Sequence, residues 1–437
     1  MVVMKFGGSS VGDAERLKNV YEIVKSKMKE KPIVVLSAMK GVTDQLINTA
    51  KSASKGQDVS AELEDLKNKH HQALKELELN ETLVDHLLKE YAKVIDNIFI
   101  VKHVSPEVLD VVQSFGERLV VRIFAAYMTK MGIKAKALDA YDIGMITTPD
   151  YGNGEPLPDT EEKIASHLRK VTEVPVITGF IGKDSAGNIT TLGRGGSDYT
   201  GAIIGAAMND TIEIWTDVNG VMTSDPRVVN EAATIENISF DEASELAYFG
   251  AKVLHPKAIW PAIKKNLPVK VLNSFEPTNK GTTIVSKSKE SKTVIKAIAC
   301  KKNISLINVS STRMLLAHGF LSRLFSVFED YKKSVDMIAT SEVSVSLTVD
   351  TEENIEKIRE DLEGVAEVNF EKGKAIVAIV GAGMINSKGV VGRVFTALKD
   401  IRVEMISAGA SEINISFIVD NKDADRAVQT LHKEFFG

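Results

Sequence analysis

Short apolar runs alternate with amphipathic stretches along the first 285 residues of the chain. The run at 31–38 is apolar on both faces, as expected of a strand inside a parallel sheet. Leucines at helical spacing predict helical hairpins over 60–102. Further strands are predicted at 2–6, 134–138, 174–180, 211–217 and, as the last of this part, 269–272. Strands that alternate with helices predict an α/β domain whose sheet is largely parallel and covered on both faces.

The rest of the chain contains an internal repeat. Matching residues recur at an offset of 70 in five pairs, which are Gly319 and Gly389, Arg323 and Arg393, Phe325 and Phe395, Glu342 and Glu412, and Asp350 and Asp420. Each copy follows the order strand, helix, strand, strand, helix, strand, which predicts two ferredoxin-like βαββαβ domains. The polar run 286–293 predicts a linker before them. The repeat by itself leaves two roles open, ligand sensing and the pairing of two chains.

Length and composition limit the class of protein. A chain of 437 residues is long enough for two or three domains. A net charge of −5, with 26% charged residues of both signs, argues against a nucleic-acid or membrane-surface partner. No apolar run approaches the roughly 18 residues that span a bilayer, and the first residues lack the pattern of a signal peptide. The one cysteine, Cys300, excludes an internal disulfide and a multi-cysteine metal site. We therefore expect a cytoplasmic protein.

The first candidate site is the turn that follows the first strand. Lys5 lies at the end of the strand, Gly7 and Gly8 form the turn, and a helix begins near Asp13. Glycines let backbone N–H groups approach an anion, and a helix N-terminus adds partial positive charge. The same residues also fit a tight turn with a surface lysine. The Walker A pattern occurs nowhere in the chain, so a phosphate site here would have another design.

Three later segments could complete a site for phosphoryl transfer, which needs positive charge, anion donors and a carboxylate. Segment 193–198 supplies Arg194, backbone donors and Asp198, although Asp198 could be a simple helix N-cap. Segment 215–227 contains Thr-Asp and Asp-Pro-Arg, residue types that also form turns. Segment 249–256 contains a lysine that could equally be a charge at a helix C-terminus. We expect these segments at the carboxyl ends of strands, where open α/β sheets bind ligands.

The motif Lys5-Phe-Gly-Gly-Ser-Ser-Val11 resembles the opening signature of the aspartate kinases of the amino-acid kinase family. The other three segments follow in the order that these kinases have, and the resemblance covers the whole chain, closest to the monofunctional, lysine-sensitive type. It implies an α/β fold, with a three-layer αβα kinase domain followed by two ACT domains, the amino-acid-sensing modules of this family. The implied boundaries are 1–285 for the catalytic domain, 286–303 for a linker and first regulatory strand, and 304–373 and 374–437 for the ACT domains.

The resemblance implies ATP-dependent phosphorylation of the side-chain carboxylate of L-aspartate, with Mg²⁺ carried by the nucleotide. The residues implied in phosphoryl transfer are Lys5, Gly7, Gly8 and Asp198. Those implied in binding aspartate are Thr43, Glu117, Arg194 and Ser197. Those implied in binding ATP are Thr216, Asp217, Met222, Arg227, Lys252 and Val253. The chain departs from the family pattern at Met222, where tyrosine is usual, and at Ser9, where threonine is commoner.

The first repeat resembles the effector segment of the lysine-sensitive aspartate kinases. The matching positions are Met314, Gly319, Phe320, Leu321, Ser334, Val335, Asp336, Thr340, Ser341 and Glu342. Residues 315–317 are apolar where those kinases often have polar residues, so lysine and threonine both stay open as the effector, with lysine favoured. The second repeat has acids at the positions of Asp336 and Glu342, and only the resemblance places the effector in the first copy. It also implies a homodimer formed through the ACT domains, or a tetramer built from it.

Three other functions compete with this interpretation. Another acyl or carbamoyl phosphate kinase would share the fold, but the candidate aspartate-binding residues and the ACT pair argue against it. A dinucleotide-binding oxidoreductase would use Gly381-Ala-Gly383, yet Asn386 stands where the third glycine or alanine of that fingerprint belongs. A pure amino-acid sensor with an inactive kinase domain is opposed by the intact candidate catalytic residues.

Overall fold

The computed structural model describes residues 1–250, 256–287, 294–311, 318–350, 354–364, 366–384, 387–409 and 411–437. Two compact units make up the chain. The first comprises Met1–Val221, Glu236–Phe240 and Val253–Ser288, and the second comprises Met222–Ile235, Asp241–Lys252 and Lys289–Gly437. The second unit therefore includes two short segments from inside the range 1–285, an insertion that no pattern in the sequence indicates. The predicted domain boundaries stay predictions.

Strands and helices alternate over the first 287 residues. The strands there are β1 (Val2–Phe6), β2 (Pro32–Leu36), β3 (Ala135–Leu138), β4 (Val174–Thr178), β5 (Ile181–Lys183), β6 (Ile189–Thr191), β7 (Thr211–Thr216), β8 (Asn237–Ser239), β9 (Val269–Asn273) and β10 (Thr282–Val285). The helices are α1 (Ala14–Ser26), α2 (Val42–Ser54), α3 (Ser60–Glu76), α4 (Asp85–Val101), α5 (Pro106–Lys130), α6 (Thr160–Leu168), α7 (Gly196–Met208), α8 (Phe240–Tyr248) and α9 (Pro256–Lys264). The helical hairpins predicted over 60–102 are confirmed as α3 and α4.

One sheet of the first unit has the strand order β3-β4-β2-β1-β7-β9-β10-β8. Neighbours from β3 to β9 pair in parallel, and β10 runs antiparallel to β9. Alternate residues of β1 enter different cores, because Met4 packs with α1 to α5 and Val3 packs with α6 and α7. The predicted three-layer αβα architecture with a mainly parallel sheet is confirmed.

The end of this sheet corrects the sequence prediction. The prediction that 269–272 is its last strand is wrong, because β10 follows it and β8 pairs with β10. Both added strands are short, and β10 alternates only over four residues behind Gly281, so hydrophobic periodicity gives little signal. Strands β5 and β6 pair antiparallel and form a separate two-stranded sheet.

The repeats lie in the second unit. Its strands are β11 (Ala297–Ser310), β12 (Ile338–Thr340), β13 (Ser344–Val349), β14 (Glu367–Val380), β15 (Met405–Ala408) and β16 (Asn414–Asp420). Its remaining helices are α10 (Phe320–Asp330), α11 (Ile355–Glu363), α12 (Val390–Ala397) and α13 (Asn421–Phe436). Helices α10 and α11 cover one hydrophobic core, and α12 and α13 cover another. Each copy of the repeat therefore has its own core, as the ferredoxin-like prediction requires.

The two copies share their longest strands. The sheet has the order β12-β13-β11-β14-β16-β15 and is antiparallel throughout. Strands β11 and β14 pair from Ala297 with Val380 to Ser310 with Glu367, so the first half of β11 completes the second copy. The Gly381–Gly383 turn follows a strand that is antiparallel to both neighbours, which argues against a dinucleotide-binding βαβ unit. Among the helices of the described ranges, none combines the length and the apolar character that a membrane span needs.

Candidate active site

A cavity of about 460 Å³ opens in the first unit beside the carboxyl ends of the central strands. Its walls come from the turn after β1, the loop 37–44 after β2, helix α5, and the segment 193–198 that begins α7. Strands β2 and β4 lie on one side of β1, whereas β7 and β9 lie on the other, so the strand order changes direction here. Open α/β sheets bind ligands at such a point. We therefore take this cavity as the candidate active site.

Three helical segments begin at the cavity with a glycine as their N-cap. These are Gly7 before the single turn Gly8–Val11, Gly41 before α2 and Gly195 before α7, and at none of these described ends does a side chain cap the first amides. Free amide N–H groups and the positive end of a helix dipole both attract anions. Gly8 also has a steric role, because a Cβ there would lie 2.9 Å from the carbonyl oxygen of Ala38. The cavity can thus receive a polyanion from several directions.

The ammonium group of Lys5 lies 2.5 Å from Oδ1 of Asp198, and only 9% of the Lys5 side chain is exposed. Gly201 on α7 leaves room for the stem of Lys5, since a Cβ there would lie 3.2 Å from the lysine Cβ. The N-cap of α7 is Gly195 and Asp198 is its third residue, so the alternatives of a simple N-cap and a surface lysine are both wrong. A buried ammonium held in place by a carboxylate can neutralise negative charge with little reorganisation.

Glu117 on α5 is a second buried acid of the cavity, with 3% of the residue exposed. Its Oε1 accepts a hydrogen bond of 3.1 Å from the backbone N–H of Ala38, and its Oε2 has no partner among the described residues. Burial raises the pKa of Glu117 to about 8, against the opposing effects of the Ala38 N–H and of Lys5. An unpaired carboxyl oxygen at a cavity wall is suited to accept a hydrogen bond from a ligand ammonium group.

Arg194 stands between two glycines with left-handed backbone, Gly193 at φ 74° and Gly195 at φ 73°. Such a turn favours glycine and presents the intervening side chain outward. Arg194 is exposed and lines the cavity together with Thr43 and Ser197. The structure therefore brings all four candidate aspartate-binding residues to the cavity that contains Lys5, Gly8 and Asp198.

Phe180 also lines the cavity, and sequence reasoning missed it. Its φ of 70° is unusual for a residue with a side chain. The N–H of Phe180 donates to Oγ1 of Thr200 over 2.9 Å, and its ring packs against Gly196, where a Cβ would lie 2.5 Å from Cδ2. Strained backbone of this kind often occurs at ligand sites. Its position at the end of the strand predicted over 174–180 is the one signal that the sequence offers.

The candidate nucleotide residues are distributed over both units. Thr216 ends β7 in the first unit, its hydroxyl donates to Asp217 over 3.2 Å, and its carbonyl accepts from the N–H of Ser274 over 2.8 Å. The hydroxyl groups of Ser274 and Ser10 are 2.8 Å apart, which connects this strand end to the turn after β1. Thr216 therefore lies beside the glycine turn at the candidate active site.

The remaining candidate nucleotide residues are Met222, Arg227, Lys252 and Val253. Met222 and Arg227 belong to the second unit. The guanidinium of Arg227 is 88% exposed and pairs with the carboxylate of Asp225 at 2.6 Å, an ion pair that holds the pKa of Asp225 below its ordinary value. Lys252 and Val253 lie outside the described residues. Their roles stay predictions.

In the first repeat, Asp336 already has two partners. The ammonium group of Lys301 lies 2.9 Å from both of its carboxylate oxygens, and the hydroxyl of Tyr248 donates to Oδ1 over 2.7 Å. Only 3% of the Asp336 side chain is exposed. The second repeat has the same arrangement, in which Lys374 lies 2.7 Å from Glu404. Each copy therefore neutralises its buried acid with a lysine of the shared strands.

The other predicted effector positions have varied surroundings. Phe320 is buried in the core beneath α10, whereas Leu321 is 41% exposed. The hydroxyl of Ser341 lies 2.7 Å from that of Ser344 in the turn before β13. Thr340 is the last residue of β12. The remaining described positions lie on loops and turns, and they are Gly319, Ser334, Val335 and Glu342. Met314 lies outside the described residues.

Comparison with known proteins gives this site a context. The model of the amino acid kinase family matches residues 1–273, and an ACT domain model matches residues 377–435. The chain is 42% identical to aspartokinase 1, chloroplastic, of Arabidopsis thaliana, over 99% of this chain and 80% of that protein. It is 35% identical to lysine-sensitive aspartokinase 3 of Escherichia coli, over 100% of this chain and 99% of that protein.

Solved structures agree with the sequence relatives. Two crystal structures of E. coli aspartokinase III, one in complex with aspartate and ADP and one with lysine and aspartate, each give a TM-score of 0.84 at 33% identity over 100% of both chains. The fold and the site thus define a member of the amino acid kinase family that carries ACT domains. Within that family the chain belongs to the aspartokinases.

Proposed function

We propose that this protein transfers the γ-phosphoryl group of ATP to the side-chain carboxylate of L-aspartate, giving 4-phospho-L-aspartate and ADP. This is the first step in the biosynthesis of the amino acids made from aspartate, among them lysine, threonine and methionine. The observation that carries the proposal is the cavity in which Lys5 and Asp198, the uncapped helix N-termini and the candidate aspartate-binding residues meet. The relatives that span nearly the whole chain are named aspartokinases.

Catalysis would rest on positioning and charge neutralisation, without a covalent enzyme intermediate. Lys5 would neutralise the phosphoryl group in transfer, while the amides of the Gly7–Gly8 turn donate hydrogen bonds to its oxygens. Asp198 would keep the lysine ammonium at the carboxyl end of β1, where the phosphates of ATP and the acceptor carboxylate have to meet. Because the pair is buried, its electrostatic interaction with the phosphoryl group is stronger, since a low local dielectric screens charges less than water does.

Aspartate would bind through its α-carboxylate and its α-ammonium group. Arg194 can hold the α-carboxylate in a bidentate pair, with Ser197 and Thr43 donating further hydrogen bonds. The α-ammonium group would pair with the free Oε2 of Glu117. Because burial raises the pKa of Glu117 to about 8, we expect binding of the ammonium group to favour loss of the proton from this carboxyl group.

ATP would bind between the glycine turn and the end of β7, where Thr216 and Asp217 are placed. Met222, Arg227, Lys252 and Val253 are proposed to complete its site. The described residues contain no group of three or more His, Cys, Asp or Glu side chains placed to hold a metal ion. Mg²⁺ would therefore be held chiefly by the phosphate oxygens of ATP, and it would supply positive charge to the γ-phosphate during transfer.

Lysine is the effector that we propose, bound in the first repeat beside Asp336. One solved relative carries lysine in a structure described as its T-state. The ε-ammonium of the effector lysine would form a charge-assisted hydrogen bond with the carboxylate of Asp336. To do so it has to displace the ammonium group of Lys301 or share the carboxylate with it. A bound effector can inhibit only by stabilising a less active arrangement of the enzyme. Threonine is the alternative effector.

The repeats are also proposed to form a homodimer, or a tetramer built from it. The edge strands of their sheet expose apolar side chains, with Ile338 on β12 at 38% and Ile406 on β15 at 47%. Exposed apolar groups on a sheet edge favour association with another chain. Light scattering coupled to size exclusion measures the mass of the assembly. Cytoplasmic residence stays a prediction.

The decisive experiment couples ADP release to NADH oxidation with aspartate, glutamate, acetate and carbamate as acceptors. We expect turnover with aspartate and with no other acceptor, and inhibition of that turnover by lysine. Turnover with another acceptor in place of aspartate would favour the alternative of a different acyl or carbamoyl phosphate kinase. Binding of lysine without any ADP release would favour the amino-acid sensor. Inhibition by threonine and not by lysine would identify threonine as the effector and leave the proposed reaction unchanged.

A further inference from the structure

Asp110 is a buried acid of α5 that the proposed reaction does not use. It is 1% exposed, and its carboxylate accepts three hydrogen bonds. Oδ2 accepts from the backbone N–H groups of Gly152 at 2.9 Å and Thr191 at 2.7 Å, and Oδ1 accepts from the Thr191 hydroxyl at 2.8 Å. No lysine or arginine of the described chain forms an ion pair with it. Burial therefore raises the pKa of Asp110, since only neutral donors oppose the cost of desolvation.

The donors to Asp110 support the turn that carries Arg194. Thr191 is the last residue of β6, three residues before Arg194. The Gly152 segment packs against the same turn, because a Cβ at Gly193 would lie 3.0 Å from the carbonyl oxygen of Gly152. The N–H of Gly154 also donates to the carbonyl of Thr191 over 2.8 Å. Asp110 thus fixes both segments on which the Arg194 turn rests.

The same helix is fixed at the opposite wall of the cavity. Gly116 allows α5 to approach the loop after β2, because a Cβ there would lie 2.7 Å from the Cβ of Ala38. Glu117 bonds to the N–H of Ala38 directly. Asp110 and Glu117 are seven residues apart, two turns of one rigid helix, which is about 10 Å along its axis. Helix α5 is therefore a rod that connects the wall of Glu117 to the wall of Arg194.

We propose that Asp110 is a positioning residue that sets the separation between Glu117 and Arg194. Under the proposed function, on which this inference rests, those two residues hold the α-ammonium and α-carboxylate groups of aspartate. The two ligand groups have a fixed spacing, so a ligand can pair with both residues only when the walls are held correctly. Asp110 touches neither the substrate nor the nucleotide, and its effect passes through the Arg194 turn.

Two variants test the inference. Asp110→Asn keeps the shape of the side chain but replaces one acceptor oxygen by an amide donor that faces other donors. Thr191→Val removes only the hydroxyl donor and leaves every backbone hydrogen bond in place. We expect the KM for aspartate to rise roughly tenfold or more in Asp110→Asn, the effect of losing hydrogen bonds to a charged group, and less in Thr191→Val. The KM for ATP and kcat should change by less than about threefold in both.

A second readout separates positioning from general loss of stability. Succinate is aspartate without the ammonium group, so it uses Arg194 but not Glu117. As a competitive inhibitor it should lose affinity less than aspartate does in both variants, and the ratio of the succinate Ki to the aspartate KM should fall. Asp139→Asn is the matched control, because Asp139 anchors the same helix through Arg122, with two hydrogen bonds of 2.9 Å. It should lower the melting temperature and leave this ratio unchanged.

The outcomes distinguish the two levels of the argument. Suppose that the parent is active and that both variants fold. If their KM for aspartate and their ratio of succinate Ki to aspartate KM then match those of the parent, the inference is overturned and the proposed function stands. Equal rises in the KM values for aspartate and ATP would also overturn it, since they indicate a general disturbance. If Asp110→Asn does not fold, Thr191→Val decides by the same criteria. A parent that releases no ADP with aspartate would overturn the proposed function, and the inference with it.

Discussion

We expect the stability of the first unit to depend on pH through Glu117. The ordinary pKa of this side chain is 4.5, and burial raises the pKa of Glu117 to about 8. Between these values the folded protein keeps a proton that the unfolded chain has released. The stability that protonated Glu117 contributes is therefore complete below pH 4.5 and is lost as pH rises through 8. At pH 9 the loss is about 4 to 5 kcal/mol, because each pH unit between the two pKa values is worth about 1.4 kcal/mol.

Glu117→Gln should remove this dependence, because glutamine is uncharged at every pH and keeps an oxygen for the N–H of Ala38. From pH 5 to pH 9, the free energy of unfolding of the variant should therefore rise by about 4 kcal/mol relative to that of the parent. Urea unfolding followed by tryptophan fluorescence measures the difference. Both tryptophans of the chain, Trp215 and Trp260, belong to the first unit, so the signal reports on that unit. The second unit contributes nothing to it.

Asp139→Asn is the control for this experiment. Although burial acts in the opposite direction, the ion pair with Arg122 holds the pKa of Asp139 below its ordinary value of 3.8. The stability from Asp139 is present above that value and is lost only as pH falls below it. The free energy of unfolding of Asp139→Asn should thus be lower than that of the parent by the same amount at every pH from 5 to 9. Parallel stability curves for Glu117→Gln and the parent over the same range would refute the reasoning on Glu117.

Three further predictions concern activity. Lys5→Ala should lower kcat by about 10²-fold or more, a loss of about 3 kcal/mol of transition-state stabilisation, and steady-state kinetics on a variant with a native circular dichroism spectrum would check it. Arg194→Lys should raise the KM for aspartate far more than that for ATP, because lysine cannot form the bidentate pair, and an equal rise in both would remove Arg194 from the amino-acid site. Asp336→Asn should weaken inhibition by lysine roughly 10- to 100-fold, whereas Glu404→Gln, which breaks the matching ion pair in the second repeat, should leave inhibition nearly intact in a lysine titration.

Much of the active site could be predicted from local patterns. Lys5 and Asp198 stand next to glycine turns at strand and helix ends, and the carboxyl ends of parallel strands meet at one edge of a sheet. Sequence order and turn chemistry were therefore enough to indicate a shared site. Glu117 differs, because nothing in its helix shows that its carboxyl group is buried against the N–H of Ala38. Only the resemblance to known kinases identified it.

Other features depend on packing that local patterns do not record. Phe180 takes its left-handed backbone from contacts with Gly196 and Thr200, which are distant in sequence. Asp336 is an acid before a strand in the sequence, and its pairing with Lys301 and Tyr248 depends on the register of β11. The assignment of 222–235 and 241–252 to the second unit has the same origin. In each case a long-range contact decided what the side chain or segment does.

The shared strands of the second unit constrain how the chain can fold during synthesis. Ala297 cannot pair with Val380 until that residue has been synthesised, which happens 83 residues later (380 − 297). At about 5 to 20 residues per second this delay lasts about 4 to 17 seconds, during which an edge of β11 is unpaired. Unpaired edges promote aggregation, and a fragment that stops before β14 would keep its edge permanently. Cutting the chain between the repeats would therefore divide the shared strands, and neither repeat would keep its complete sheet.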